Sequence, residues 1–312
     1  MLFSTHGSVQ KVFEPHIILK GIEGKVQTLL DFLVFSSLYL ALECVAMAYI
    51  SCYIQQIAWS PECVIIPFLI AFAIYNLNRK TDEDEDAINR EDRYRFTKRY
   101  EKSLFWLSLA GIGVSLVLSA FHGTMAVLVT LIPFVCGTLY SVRWLPPGLP
   151  YRRLKEIPFV KNIMVGFAWA FFLALLPVAL SNSVPDTRTL IMCLLFFFWG
   201  IMASTIPDIR DRVGDARTGV RTIPVIYGEE KTKSILTSMN LIFALPILFL
   251  SIGSLPILRA GVLVATNLYA LGCIRLIGVL PSTDFICDIL ADGQYIFFAC
   301  GIFVLQSTHL IL

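Results

Sequence analysis

The sequence predicts an all-α, polytopic membrane protein, with nine transmembrane helices bundled around a central, lipid-accessible cavity. Three observations carry that expectation. Hydrophobic residues make up 56% of the 312 and charged residues 15%, well short of the roughly 25% with which a soluble domain covers its surface. Apolar runs long enough to cross a hydrocarbon layer, which takes about 20 helical residues, recur along the whole chain. The basic residues are gathered into alternate connections between those runs, as the positive-inside rule requires. Mean hydropathy is +0.72. Net charge is only +2, so a bulk electrostatic attraction to nucleic acid is excluded.

In chain order the predicted spans are 29–54, 64–78, 104–121, 125–142, 163–180, 190–207, 235–252, 257–280 and 295–312. The second is short, so its polar end is expected to continue as helix beyond the apolar layer. Of 25 Lys and Arg, 23 fall on the N-terminal segment, on the connections after even-numbered spans or at the end of the eighth; Arg188 and Arg259 are the exceptions. The N-terminus and the loops 79–103, 143–161 and 208–234 are therefore expected to be cytoplasmic, and the C-terminus external. The opposite connections are short, which places function on the cytoplasmic face. One domain, 1–312, is expected. The N-terminal stretch lacks a continuous apolar core before a small-residue cleavage site, so a removable signal peptide is not predicted. The eight cysteines form no CxxC and the four histidines are scattered, which excludes zinc and disulfide frameworks on spacing.

Two acidic clusters carry the chemistry. Asn78, Asp82 and Asp86 stand at i, i+4 and i+8, and at 100° per residue each step drifts only about 40°, so one helix face holds all three. Asp208, Asp211 and Asp215 stand at i, i+3 and i+7, within about 60° of one another. Each cluster follows an apolar run, the second and the sixth, four spans apart. Oxygen ligands of this kind suit Mg²⁺, which is commonly held by one or two carboxylates together with substrate phosphates. Two facing ladders could thus hold Mg²⁺ against a diphosphate. Basic residues after the fourth span complete such a site. Arg143 and Lys161, at span boundaries, are assigned to the diphosphate; Arg152, Arg153 and Lys155 are assigned to membrane topology. Glu43, in mid-span, costs several kcal/mol unless paired or facing a cavity. It either orients a substrate or bonds a neighbouring helix.

Taken together, these residues resemble the UbiA superfamily of intramembrane prenyltransferases. Asn78-xxx-Asp82-xxx-Asp86 is similar to its first aspartate-rich motif. Asp211-xxx-Asp215 with Gly219 and Arg221 is similar to its second. Leu139-Tyr140-Ser141 with Arg143, and Lys161-Asn162 opening the fifth span, resemble its region between helices 4 and 5. The resemblance implies Mg²⁺ bound by Asn78, Asp82, Asp86, Asp208, Asp211 and Asp215. It implies diphosphate contacts from Arg143, Lys161, Asn162 and Arg221, and catalytic roles for Asp82, Asp211 and Tyr140. The reaction it implies moves an isoprenyl group from an isoprenyl diphosphate to a membrane-soluble or amphipathic acceptor, among membrane lipids. That acceptor could be an aromatic acid of quinone synthesis, a glycerol-phosphate lipid or a porphyrin-type ring. The chain departs from the family pattern at Arg79, where Asp is common, in lacking an Arg-Pro near the first span, and in spacing Arg143 three residues after Tyr140. A cation-coupled transporter would place its carboxylates near the bilayer midplane, whereas these sit at one face. A CDP-alcohol phosphotransferase would show a signature that Gly214-Asp215-Ala216-Arg217 echoes only in part.

Overall fold

A computed structural model describes residues 26–149, 151–280 and 282–307. The N-terminal stretch read for a signal peptide, the basic residues Lys11, Lys20 and Lys25, and the last five residues of the predicted ninth span lie outside the described residues. Among those described, the chain is helical with no strand. Eight helices are long and apolar enough to cross a membrane, and a bent pair brings the number to nine if the pair counts as one span.

The predicted first span is two helices, α1 (Val26–Phe35) and α2 (Leu38–Gln55). They part at Ser36 and Ser37, where Ser37 has φ 66°. A break inside an apolar layer frees carbonyls that water cannot reach. Side chains of α3 (Glu62–Thr81) meet them. Asn76 Nδ2 donates to Ser36 O at 3.1 Å, and the Arg79 guanidinium donates to Val34 O at 2.9 Å and to Phe35 O. Arg79 is therefore a helix-end cap that no spacing in the sequence announces.

The predicted loop 79–103 is largely helical. After α3 ends, α4 (Glu83–Asn89) and α5 (Glu91–Arg99) follow before α6 (Glu101–Ala120). Helix is expected at the start of this connection, where the first ladder lies, and the structure extends it through the rest. The segment is laced by ion pairs such as Lys98–Glu83 at 2.6 Å and Arg95–Glu91 at 2.5 Å, and Glu, Lys and Arg are good helix formers. Helix α7 (Thr124–Ser141) comes next. The connection 143–161 does run mostly without α-helix, through one 3₁₀ turn at Leu154–Glu156, to α8 (Val160–Leu180).

Helix α9 (Thr187–Thr218) carries the sixth span and runs on past its predicted apolar end at Pro207, as the spacing of the second ladder requires. It starts where the Asp186 carboxylate accepts from the amides of Arg188 and Thr189, runs 32 residues through Pro207, and stops at Gly219 with φ 81°. At 1.5 Å per residue its length is about 48 Å, well beyond the hydrocarbon thickness. The second acidic cluster therefore rides on the same rod as the apolar span. The predicted loop 208–234 is correspondingly this helix end, α10 (Ile223–Tyr227) and the start of α11 (Glu229–Ser251). Helix α12 (Ile257–Leu276) is followed by α13, Thr283–Phe285 continued as a π turn over Ile286–Ala291, and by α14 (Gln294–Ser307). The last two bend by 42°.

Helices α2, α3, α8 and α9 supply most of the buried core, including Ile50, Ile66, Phe172, Leu176, Phe196 and Met192. Helices α6 and α11 instead expose large apolar side chains, Trp106, Leu107 and Val117 on one and Leu245 and Phe249 on the other. Bare apolar flanks of this extent belong against lipid. At the end of the bundle opposite the acidic clusters, Arg188 donates to Gln55 O at 3.3 Å and Arg259 lies 5.0 Å from the Tyr53 ring centroid. Both charges outside the alternating pattern are thereby accounted for.

Candidate functional site

A cavity of about 250 Å³ opens among α2, α3, α7, α8, α9 and the α13–α14 bend. Of the residues the sequence singles out, Asn78, Asp82, Asp86, Tyr140, Lys161, Asp208 and Asp211 line it. Asp82 stands at the break between α3 and α4 rather than inside one continuous helix. The i, i+4 hydrogen bond from Asp86 N to Asp82 O at 2.9 Å nevertheless spans that break, so the first ladder keeps its common face. The apolar part of the wall includes Tyr75, Trp169 and Trp199, with the first two rings stacked at 5.5 Å.

At the polar end four of the five carboxylates of the two motifs each meet a cation. Lys155 Nζ lies 2.5 Å from Asp82 and 3.1 Å from Glu85. Arg93 is 2.6 Å from Asp86, and Lys161 is 2.5 Å from Asp208. Arg210 grips both oxygens of Asp211, at 2.7 and 3.0 Å, and reaches Asp288 at 2.9 Å. Arg90 meets the other Asp288 oxygen at 2.7 Å. Charges this deep are tolerated because they are paired and hydrogen-bonded. Lys155 is placed by the 3₁₀ turn, whose Glu156 accepts from the Arg152 amide at 2.7 Å and from Arg153 Nε at 2.8 Å. Burial pushes the Glu156 carboxyl up, but the Arg152 amide and the Arg153 guanidinium outweigh it and hold it below the usual carboxylate range.

The remaining predicted residues stand elsewhere. Asn162 lies behind the wall, donating to Ser204, Thr205 and Asp208, and so fixes the last. Asp215 accepts from Asn89 and from Thr222, each at 3.3 Å, tying α4 and the start of α10 to α9. Helix α4 comes this close because residue 214 is glycine; a Cβ there would sit 1.9 Å from Asn89 Oδ1. Arg143 and Arg221 are exposed and do not line the cavity.

Sequence reasoning missed the site positions of Lys155, Arg93, Arg210, Asp288 and Asp292; Glu43, left open between two roles, lines the cavity and also accepts from Trp199 on α9. One signal was present. Asp284, Asp288 and Asp292 repeat the i, i+4, i+8 spacing of the first ladder. The bend that turns Asp288 and Asp292 toward the cavity depends on Gly293, where a Cβ would sit 2.1 Å from Tyr39 Oη and 2.3 Å from Ile289 O. Tyr39 in turn donates to that carbonyl at 3.0 Å. Nothing local in the sequence marks Lys155, which owes its place to a fold-back of the connection after α7.

The donor set fits Mg²⁺ in a particular way. It is made of carboxylate and amide oxygens, and one of them, Asp86 Oδ2, is buried without a partner. Among the described residues no three carboxylate, histidine or cysteine side chains converge closely enough to hold an ion alone. Each ion would therefore take one or two carboxylates from Asp82, Asp86, Asp208 and Asp211, with the Asn78 amide oxygen beside them, and fill its remaining positions from a phosphate-bearing ligand or water.

Fold and site together define a helical intramembrane protein built around an acid- and base-lined cavity with an aromatic interior. Residues 33–280 match the profile of the UbiA prenyltransferase family. The chain belongs to that family. It is 28% identical over 199 residues to the polyprenyl transferase eriF of Hericium erinaceus, covering 61% of this chain and 60% of that one. It is 26% identical over 178 residues to the digeranylgeranylglyceryl phosphate synthase of Thermococcus kodakarensis, covering 54% and 58%. The aligned part thus spans about three-fifths of the length of these two relatives. A UbiA homologue from Archaeoglobus fulgidus, solved bound to GPP and Mg²⁺, superposes with a TM-score of 0.64 over 87% of this chain and 99% of that one, at 16% identity. That likeness establishes the fold.

Proposed function

We propose that this protein transfers an isoprenyl group from an isoprenyl diphosphate to an acceptor inside the membrane, in a Mg²⁺-dependent reaction carried by the single unit 1–312. The carrying observation is the pairing of four motif carboxylates with four cations at the polar end of one cavity whose inner wall is apolar and aromatic. A diphosphate bound there exchanges partners with this array. Lys155, Lys161, Arg93 and Arg210 turn to the phosphate oxygens, and Asp82, Asp86, Asp208 and Asp211, with the Asn78 amide oxygen, would hold Mg²⁺. Mg²⁺, when bound, supplies electrostatic stabilisation of the leaving diphosphate. The cations of this chain add to that as charge develops on the leaving oxygen. Tyr75, Trp169 and Trp199 present π faces to the allylic cation, and the apolar inner wall keeps water from it. Tyr140, buried in the wall beside Lys161, orients that lysine. The names and bound ligands of the relatives support the donor class. The basic asymmetry supports a cytoplasmic polar end and N-terminus.

The test uses the full chain in lipid vesicles with labelled geranyl diphosphate. Diphosphate release is expected with Mg²⁺ and not with EDTA. Asp82→Asn and Asp211→Asn keep shape but remove charge. Each should lower transfer by at least about a hundredfold, since several kcal/mol of stabilisation is at stake at 1.36 kcal/mol per factor of ten. The double variant should be hardly worse than either single one. Activity that survives EDTA, or an equal loss from Asp84→Asn at an exposed position, would overturn the proposal.

A further inference from the structure

Seven carboxylates line the cavity: Glu43, Asp82, Asp86, Asp208, Asp211, Asp288 and Asp292. Five of them are ion-paired. Among the described residues Glu43 and Asp292 meet no cation within salt-bridge distance. Glu43 is only 5% exposed. One of its oxygens accepts from Trp199 Nε1 at 3.4 Å, and its second makes no hydrogen bond among the described residues. It stands on α2, one turn beyond Tyr39, whose hydroxyl holds the α13–α14 bend that carries Asp292, and the Asp292 charge acts on it. The two acids therefore line the same cavity as the aromatic wall.

A buried carboxylate without a cation is stable only where donors face it or where it carries a proton. Such a group favours a ligand that brings O–H or N–H and rejects one that brings negative charge. We infer that Glu43 is the proton-accepting residue of the reaction, and that the reacting end of the acceptor is a neutral hydroxyl or amine rather than an acid. The inference rests on the prenyl-transfer reading and adds the class of acceptor to it. In the step, the allylic C–O bond breaks and its electron pair leaves with the diphosphate. A lone pair of the acceptor oxygen or nitrogen forms the new bond to carbon. The acceptor's proton passes to the free oxygen of Glu43, which becomes a neutral carboxyl.

The experiment separates ionisation of the donor from its capture. The full chain in vesicles receives labelled geranyl diphosphate, Mg²⁺ and matched acceptors, an aromatic alcohol, the corresponding amine and the corresponding carboxylic acid. Diphosphate, transfer product and geraniol are each measured. Wild type should use the alcohol or amine at least about tenfold better than the acid. Glu43→Gln keeps the Trp199 contact but cannot take a proton. It should release diphosphate within about twofold of wild type and form at least about a hundredfold less product, the lower end of what a positioned base contributes, with geraniol rising as water captures the cation. Glu43→Asp, which restores a carboxyl on a shorter arm, should recover part of the product. A preference for the acid, unchanged product in Glu43→Gln, or parallel loss of diphosphate release and product in both variants would overturn the assignment of Glu43. Wild type that releases no diphosphate would instead overturn the prenyl-transfer reading itself.

Discussion

Lys155→Met is the most informative single change at the polar end, because it removes one charge from a buried cluster and keeps the length of the arm. The Lys155 side chain is 4% exposed, while those of its partners Asp82 and Glu85 are 26% and 13% exposed. Breaking a fully buried pair by deleting one member costs about 3–5 kcal/mol, because the survivor is left uncompensated. Here the surviving carboxylates border a cavity and can hydrate in part, and Arg153 remains 3.4 Å from Glu85. The expected loss is therefore about 2–3 kcal/mol, which at 1.36 kcal/mol per tenfold is roughly 30- to 150-fold in the unfolding equilibrium. It is read by denaturant titration of the purified protein in mixed micelles. Arg152→Ala, at an exposed position in the same connection, should stay within about 0.5 kcal/mol of wild type. In the cycle with Asp82→Asn, the double variant should lose at least about 1 kcal/mol less than the sum of the singles, as contacting charges do. Equal effects of Lys155→Met and Arg152→Ala would refute the reasoning. That result would return Lys155 to the role its sequence position suggests, a topology-setting charge in a cytoplasmic loop.

Two further outcomes are expected. Gly214→Ala should push α4 away from α9, since its Cβ would overlap Asn89 Oδ1; a cost of about 1–3 kcal/mol should appear in the same titration, and Asn89→Ala in the Gly214→Ala background should recover part of it. A reporter fused after Lys155 should be cytoplasmic and one after Leu312 external, and a cytoplasmic C-terminus would refute an odd number of crossings.

The spans were legible because burying a helix in lipid needs nothing beyond length and apolarity, which are written locally. The first acidic ladder was legible for a similar reason. Helical periodicity alone aligns Asn78, Asp82 and Asp86, and even a break at Asp82 does not misalign them. Helix ends were not marked by the apolar pattern: α9 begins at its Asp186 cap and stops at Gly219, both outside the predicted span 190–207. Pro207 lies inside α9, as membrane bundles tolerate.

Pairing between distant segments was not legible. Lys155 meets Asp82 across 73 positions, Arg90 meets Asp288 across 198, and Trp199 meets Glu43 across 156. The sequence by itself determined that this chain spans a membrane repeatedly and carries two oxygen-rich helix ends on one side of it. Only the tertiary structure decided which cation faces which acid and which two acids face none. A charge is placed in a membrane bundle by its nearest opposite charge, and that neighbour is chosen by how the helices pack rather than by anything within a few residues along the chain.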